Sequence, residues 1–317
     1  MLEPSLVAPM RPPVFERVTD RPLLGLEAVP WATPAPVVKG SPVPGEQREV
    51  RATIMHPSVI EAARLCKRAP ARYLMYYAPH HSPGIGAAGA DRITGPWTPL
   101  RENPVLRLDQ CGGFSGHISA PDVVWSPEEK RSLMYFHGSV AGDEQQTGVA
   151  ASDDGARFKP LAPGPILPCP YLRVWRHGGL CYGIARLGNN LGLARSPDGI
   201  KWELRPAGPL LECGQEHGEY DRLRHHCVHL VGDALHLYYC TYRDPDLRVE
   251  AIRLAIVPLE GDWTQWRAER IGDVLRPELD WERNNLRDPY IIEADGRLYM
   301  FYVGGNEAGI GVAVRTR

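Results

Sequence analysis

The residues of this chain best suited to move protons are its 11 histidines and two aspartates set in matching contexts. Asp122 stands in Ser119-Ala120-Pro121-Asp122-Val123, and Asp288 in Arg287-Asp288-Pro289-Tyr290. Three more segments have comparable places in the chain: His56-Pro57-Ser58, Cys169-Pro170-Tyr171 and His225-His226-Cys227. Two carboxyl groups held apart by the width of a water can divide acid and base work between them. His56, His117 and His226 widen the choice of acid, as does Glu219 in the acidic stretch Glu216–Asp221. Each residue also has a plainer role. Asp288 could pair with Arg287, Asp122 could cap backbone amides, and each Pro could simply start a strand by fixing φ. Converging imidazoles could hold a divalent metal in the axial channel. With no H-E-x-x-H or similar local motif, the expectation is no metal and no cofactor.

These segments need a frame that brings them together, and an internal repeat supplies it. The last copy runs Asp288-Pro289-Tyr290-Ile291-Ile292, a turn at Asp295-Gly296, then Arg297–Tyr302, a loop, and Ile310–Ala313. It reads as three strands, the first two joined as a hairpin. The second strand recurs with an aromatic at Tyr76, Tyr135, Tyr182, Tyr238 and Phe301, and the third with Ala88, Ala150, Ala194, Ala255 and Ala313. Turns carrying Trp97, Phe158, Trp202 and Trp263 follow the third strand and predict a fourth edge anchored by an aromatic. Five copies predict an all-β, single-domain, five-bladed β-propeller. Residues 1–49 form an N-terminal extension, and the blades lie near 50–100, 115–162, 166–206, 222–268 and 285–317. The chain ends soon after Ala313, so Val14–Leu24 is expected to supply the last blade's fourth strand and close the ring. The Pro-rich stretch Pro30–Gly45 reads as an extended surface loop.

In such a ring the first strand of each blade faces the axis, so the starting residues of all five meet at one mouth. Arg173 and Arg287 could bind a carboxylate or sulfate on a ligand there, Tyr171 and Trp281 could stack on a flat ring, and His225 and Glu282 could add hydrogen bonds.

Composition narrows the partners. The net charge is −2 and no long basic run occurs, so neither nucleic acid nor an anionic membrane is expected. No stretch of 18 apolar residues and no leader pattern is evident, so the expected location is cytoplasmic. Seven cysteines, an odd number without a C-x-x-C, are expected to be reduced thiols. Oligomeric state cannot be read from these features.

The blade starting at Asp288, together with Ser119-Ala120-Pro121-Asp122-Val123 and Gly95-Pro96-Trp97-Thr98, resembles the five-bladed glycoside hydrolases of families 43, 62, 32, 68 and 117. The resemblance spans roughly residues 50–315. It implies a carbohydrate substrate and cleavage of a glycosidic bond by channel carboxylates and histidines. Family 43 is similar in pattern but places a base Asp in blade one, where this chain has His56-Pro57. The His-rich channel is closer in style to family 117. Two alternatives stay open: a lyase, isomerase or cyclase on the same scaffold, with or without a metal, and a carbohydrate-binding propeller without chemistry.

Overall fold

The computed structural model describes residues 11–32, 35–36, 50–80, 82–142, 144–244 and 249–316. Most of the predicted Pro30–Gly45 loop lies outside the described residues. The expected five blades are present as antiparallel sheets, three of four strands and, in the first and last blades, two of five. The inner strands are Met55–Ile60, Ile118–Ser126, Arg173–His177, Tyr220–Val231 and Arg287–Ala294. Each touches the next, and the last returns to the first, so the ring is closed around one axis.

The aromatic repeat explains why the sheets pack as blades. In every interface the outer turn or strand of one blade sets an aromatic edge-on against a second-strand aromatic of its neighbour. Phe158 meets Tyr76, Trp202 meets Tyr135, Trp263 meets Tyr182 and Trp97 meets Phe301, at centroid separations of 5.6, 6.0, 6.3 and 5.9 Å. Such pairs add about 0.5–1.5 kcal/mol each beyond the area they bury. The Asp-Gly turns let the neighbour close in. The Tyr76 hydroxyl donates to the Gly155 carbonyl at 2.7 Å, and Gly155 holds φ 75, where a Cβ would press on Leu74.

The fifth interface uses the N-terminus. Phe15–Arg17 pairs antiparallel with Gly309–Arg315, and Phe15 meets Tyr238 edge-on at 6.2 Å. Leu24–Gly25 pairs further along the same strand. The first and last strands of the described chain are thus hydrogen-bonded neighbours in one blade.

A shared backbone irregularity aims residues into the axis. The pairing register slips between Met55 and Ser58, Ser119 and Asp122, Arg224 and His226, and Arg287 and Tyr290. His56, Ala120, Tyr171 and Asp288 adopt φ of 57, 49, 63 and 52, a left-handed conformation uncommon for residues with a Cβ. Blade three departs from the expected alignment. Arg173 pairs with Ile184, so Tyr171-Leu172-Arg173, and not Cys169-Pro170-Tyr171, matches the other starts. Its inner strand begins two residues later than the Pro suggests, and Tyr182 reaches its interface from two positions before the register of Tyr76.

Candidate active site

Register sorts the axial side chains into two layers. The upper layer, at the mouth, comes from the irregular positions: His56, Ala120, Tyr171, His225 and Asp288. The lower layer comes from the residues that resume pairing: Ser58, Asp122, Arg173, Cys227 and Tyr290.

The upper layer holds the reactive groups. Asp288 is 1% exposed. Its Oδ1 lies 3.1 Å from His56 Nδ1 and also touches His225 Nδ1, while Oδ2 accepts the His56 backbone N–H at 3.1 Å. The His56 and His225 rings meet edge-on at 4.7 Å, and Tyr171 lies 4.9 Å from His225. His137, on the second strand of blade two, sits 4.3 Å from Tyr171, and His117 follows at 5.5 Å from His137. His117 Nδ1 is 2.8 Å from Ser139 Oγ.

Burial dominates the protonation states. It pushes His225 down to about 3 despite the neighbouring carboxylate, so the imidazole is neutral. His137 is pushed well below its ordinary value, chiefly by burial and then by the neighbouring imidazoles and Arg186. Burial would raise Asp288, but the His225 and His56 imidazoles against it win, and its carboxyl stays well below the usual range. The mouth therefore sets an ionised Asp288 beside the neutral imidazoles of His225 and His137, and it is reached past Tyr171 and His225, each 8% exposed.

Arg186 stands at the rim. Its guanidinium lies 5.0 Å from the Tyr171 ring centre and donates to Gln145 Oε1 at 3.1 Å. No carboxylate of the described residues lies within ion-pair distance of it. Beside the cluster, Arg287 is enclosed by Glu250 and Glu307, and Glu307 also reaches His80 at 3.4 Å.

The lower layer closes the channel beneath. Asp122 Oδ2 accepts the Val174 N–H at 2.8 Å, with Arg173 at 3.9 Å. Burial raises the Asp122 carboxyl, opposed by Arg173 and the Val174 amide. Arg173 donates to the carbonyls of His226, at 2.9 Å, and Pro121, at 2.6 Å. Ser58 Oγ accepts the Val123 N–H at 2.9 Å.

This geometry revises several sequence-based assignments. Asp122 and Asp288 do not face one another across a single pocket. Asp122 belongs one layer deeper and ties blade two to blade three. Arg173 spans the same joint, and Arg287 is consumed by two carboxylates, so neither is free to bind a ligand's anion. His226 turns its Nε2 to the Ile184 carbonyl at 2.9 Å, away from Asp288. Trp281 stacks on Tyr302 at 5.9 Å and belongs to the packing of blade five. Glu219 and Glu282 are clamps. Glu219 binds Arg253, Arg270 and the Tyr239 hydroxyl; Glu282 binds Arg17, the Tyr302 hydroxyl and the amides of Glu278 and Leu279. Both are fully buried and their carboxylates are taken up by these partners. His56, His117, His225, Tyr171 and Asp288 do converge. Sequence reasoning missed His137 and Arg186. A polar residue ending the apolar run Leu133-Met134-Tyr135-Phe136 was the available signal for His137.

The two clamps have a pH signature. Burial opposes ionisation in both, but arginine, tyrosine and amide partners hold each carboxyl below its ordinary value. A depressed folded pKa stabilises above the unfolded value, about 4.3, and that contribution is lost as pH falls through the folded value. The melting temperature should hold from pH 7 to about pH 5 and drop below about pH 4. Glu219→Gln with Glu282→Gln should melt lower at pH 7 and show a smaller acid drop. An equal drop in both proteins would show that other groups control acid unfolding.

Comparison with known proteins follows the same outline. No protein-family model matches the chain. An uncharacterized protein of Acanthamoeba polyphaga mimivirus is 28% identical over 274 residues, covering 75% of this chain and 74% of the viral one. A family 43 enzyme from Xanthomonas citri complexed with xylotriose superposes with a TM-score of 0.63 at 17% identity, covering 91% of this chain and 92% of its own. This chain has the family 43 fold. A family 43 β-xylosidase/α-arabinofuranosidase from a compost metagenome, also with xylotriose, gives the same TM-score at 16% identity, covering 90% and 94%. A Bacteroides ovatus glycosyl hydrolase gives 0.63 at 13%, covering 96% and 93%. The shared framework is a glycoside hydrolase-like propeller.

Proposed function

We propose that this protein hydrolyses a glycosidic bond in an oligosaccharide bound across the axial mouth. The reading is carried by the meeting of Asp288, His56 and His225 at the axis of a fold whose Xanthomonas citri and compost counterparts are described with xylotriose. The ionised carboxylate lies where an oxocarbenium-like transition state would gather positive charge, and with the two imidazoles it orients the attacking water. Water oxygen bonds to the anomeric carbon as the bond to the leaving oxygen breaks. His117, acting as the imidazolium, gives the leaving oxygen its proton and becomes neutral, while the proton from water passes to the Asp288 cluster. Tyr171 offers a face for the sugar ring.

Arg186 narrows the substrate. A guanidinium whose hydrogen-bond partner is a neutral amide favours a sugar bearing a carboxylate or sulfate. Reducing-end release from a panel of neutral and acidic oligosaccharides tests both parts. Turnover of an acidic member is expected, with Arg186→Gln raising its KM roughly tenfold, as loss of a charged hydrogen bond implies. The KM for neutral members should barely move. Binding without release of reducing ends from any member would replace hydrolysis with a carbohydrate-binding role.

A further inference from the structure

A cleft of about 600 Å³ opens over the joint between blades one and two, walled by Trp31, Pro83, Pro104, Leu108 and Phe114. It lies on the face of the ring that carries the mouth. Met55, at the start of the first inner strand, pairs with Ala78; the chain then turns back to Gly84, which pairs with Arg107. Pro83 and Arg107 therefore stand at mouth level.

The cleft begins beside the axial histidines. The Ser82 carbonyl accepts the Ile118 N–H at 3.0 Å, which sets Pro83 against the backbone that carries His117. Phe114 precedes His117 by three residues and tilts against Phe136 at 5.3 Å; Phe136 directly precedes His137. One loop thus supplies both a wall of the cleft and the proton donor of the proposed reaction. The volume is that of a small-molecule site.

The lining selects the occupant. Arg107 Nε donates to Asp109 Oδ1 at 3.0 Å, so the two charges at the rim are spent on each other. Burial pushes the Cys111 thiol up to about 12, so it is neutral, and its Sγ donates to the Arg107 carbonyl at 3.3 Å. Gly112 and Gly113 add a stretch of bare backbone. Gly113 holds φ 77, and a Cβ on Gly112 would stand 2.5 Å from the Pro163 carbonyl. Sugar hydroxyls pressed on these walls would give up hydrogen bonds to water. A flat apolar ring gives up none and gains contact with the rings of Trp31 and Phe114.

We propose that this cleft binds an aromatic ring on the leaving side of the substrate, so that the preferred glycoside is one whose departing group carries an aryl ring. Assigning the ring to a departing group rests on the hydrolytic reading; the affinity of the cleft for the ring does not.

Nitrogen-15 correlation spectra of the indole N–H groups follow a titration with 4-methoxyphenol and, separately, with xylotriose. The Trp31 signal is identified by its loss in Trp31→Phe. 4-Methoxyphenol should shift the Trp31 signal saturably and leave Trp202 and Trp266 in place, and xylotriose should leave Trp31 unmoved. Phe114→Ala should weaken 4-methoxyphenol binding about tenfold, the loss expected for one aromatic pair. Phe114→Leu keeps most of the volume without the ring and should weaken it less, which guards against a folding defect in the alanine variant. His229→Gln, far along blade four, should bind as the parent does. No saturable shift at Trp31, equal affinity in both Phe114 variants and the parent, or a Trp31 shift produced as strongly by xylotriose would overturn the proposal. Ring binding without turnover of any glycoside would leave the aromatic site standing and remove the hydrolytic reading; turnover without ring binding would remove the aromatic site alone.

Discussion

Asp288→Asn should lower kcat/KM on the oligosaccharide substrate by about a thousandfold, roughly 4 kcal/mol of transition-state stabilisation, in a protein that still folds. The substitution keeps the shape and the acceptor for the His56 amide but removes the one negative charge that touches both imidazoles. The charge that matters sits among buried rings, where it is weakly screened, so its loss is felt strongly at the reacting centre. Stability should change little, because a neutral amide is easier to bury than a carboxylate. Asp122→Asn provides the contrast. That residue joins blades through the Val174 amide and Arg173, so its replacement should shift the melting temperature more than the rate. If Asp288→Asn retains full kcat/KM, the axial cluster is not where the bond is broken.

The second large effect lies at the closure of the ring. Arg17 reaches Glu282 from the N-terminal strand at 3.0 Å, and the Glu282 side chain has no exposure. Arg17→Ala leaves that carboxylate buried beside Tyr302 without its cation, a change that costs about 3–5 kcal/mol. Phe15→Ala empties the aromatic slot against Tyr238 and costs a similar amount, about 3–5 kcal/mol. For a large domain each kcal/mol lowers the melting temperature by about 2–4 °C, so either variant should lose roughly 6–20 °C. Removing residues 1–24 deletes both contacts and the strand itself, and should lower it further still. Calorimetry of the three proteins checks this, and an unchanged transition in the truncated chain would mean the ring closes without its first strand.

The fold was legible because packing imposed a repeat on the sequence. Each blade needs an aromatic on its second strand and another on its outer turn, and Tyr76, Phe158, Tyr135, Trp202 and Phe301 record that need as spacing. The ring closure was legible for the same reason, since a missing fourth strand is a missing line in the repeat. Blade three was misread because Pro170 looked like the other prolines. The left-handed turn there falls on Tyr171, and backbone conformation leaves no mark that composition alone can show. The candidate site was partly legible. Asp288, His56 and His225 stood out as titratable residues at strand starts. Asp122, two register positions deeper, looked equivalent to Asp288 because both adjoin a proline, although one precedes it and the other follows. Glu219 and Glu282 looked like free loop acids because their arginine partners, Arg253, Arg270 and Arg17, are remote in sequence and meet them only once the sheets assemble. Arg186 was hidden in an outwardly ordinary strand, Leu180–Leu187, whose end happens to reach the mouth.

The central claim is that carbohydrate engages the axial histidines. Nitrogen-15 correlation spectra of the imidazole side chains, recorded as an oligosaccharide substrate is added to Asp288→Asn so that it is held without turnover, test this most directly. The account predicts saturable shifts at His225, His117 and His137, with His229 and His236 unmoved. Shifts confined to His229 or His236, or saturable binding that leaves all the axial imidazoles unchanged, would contradict it.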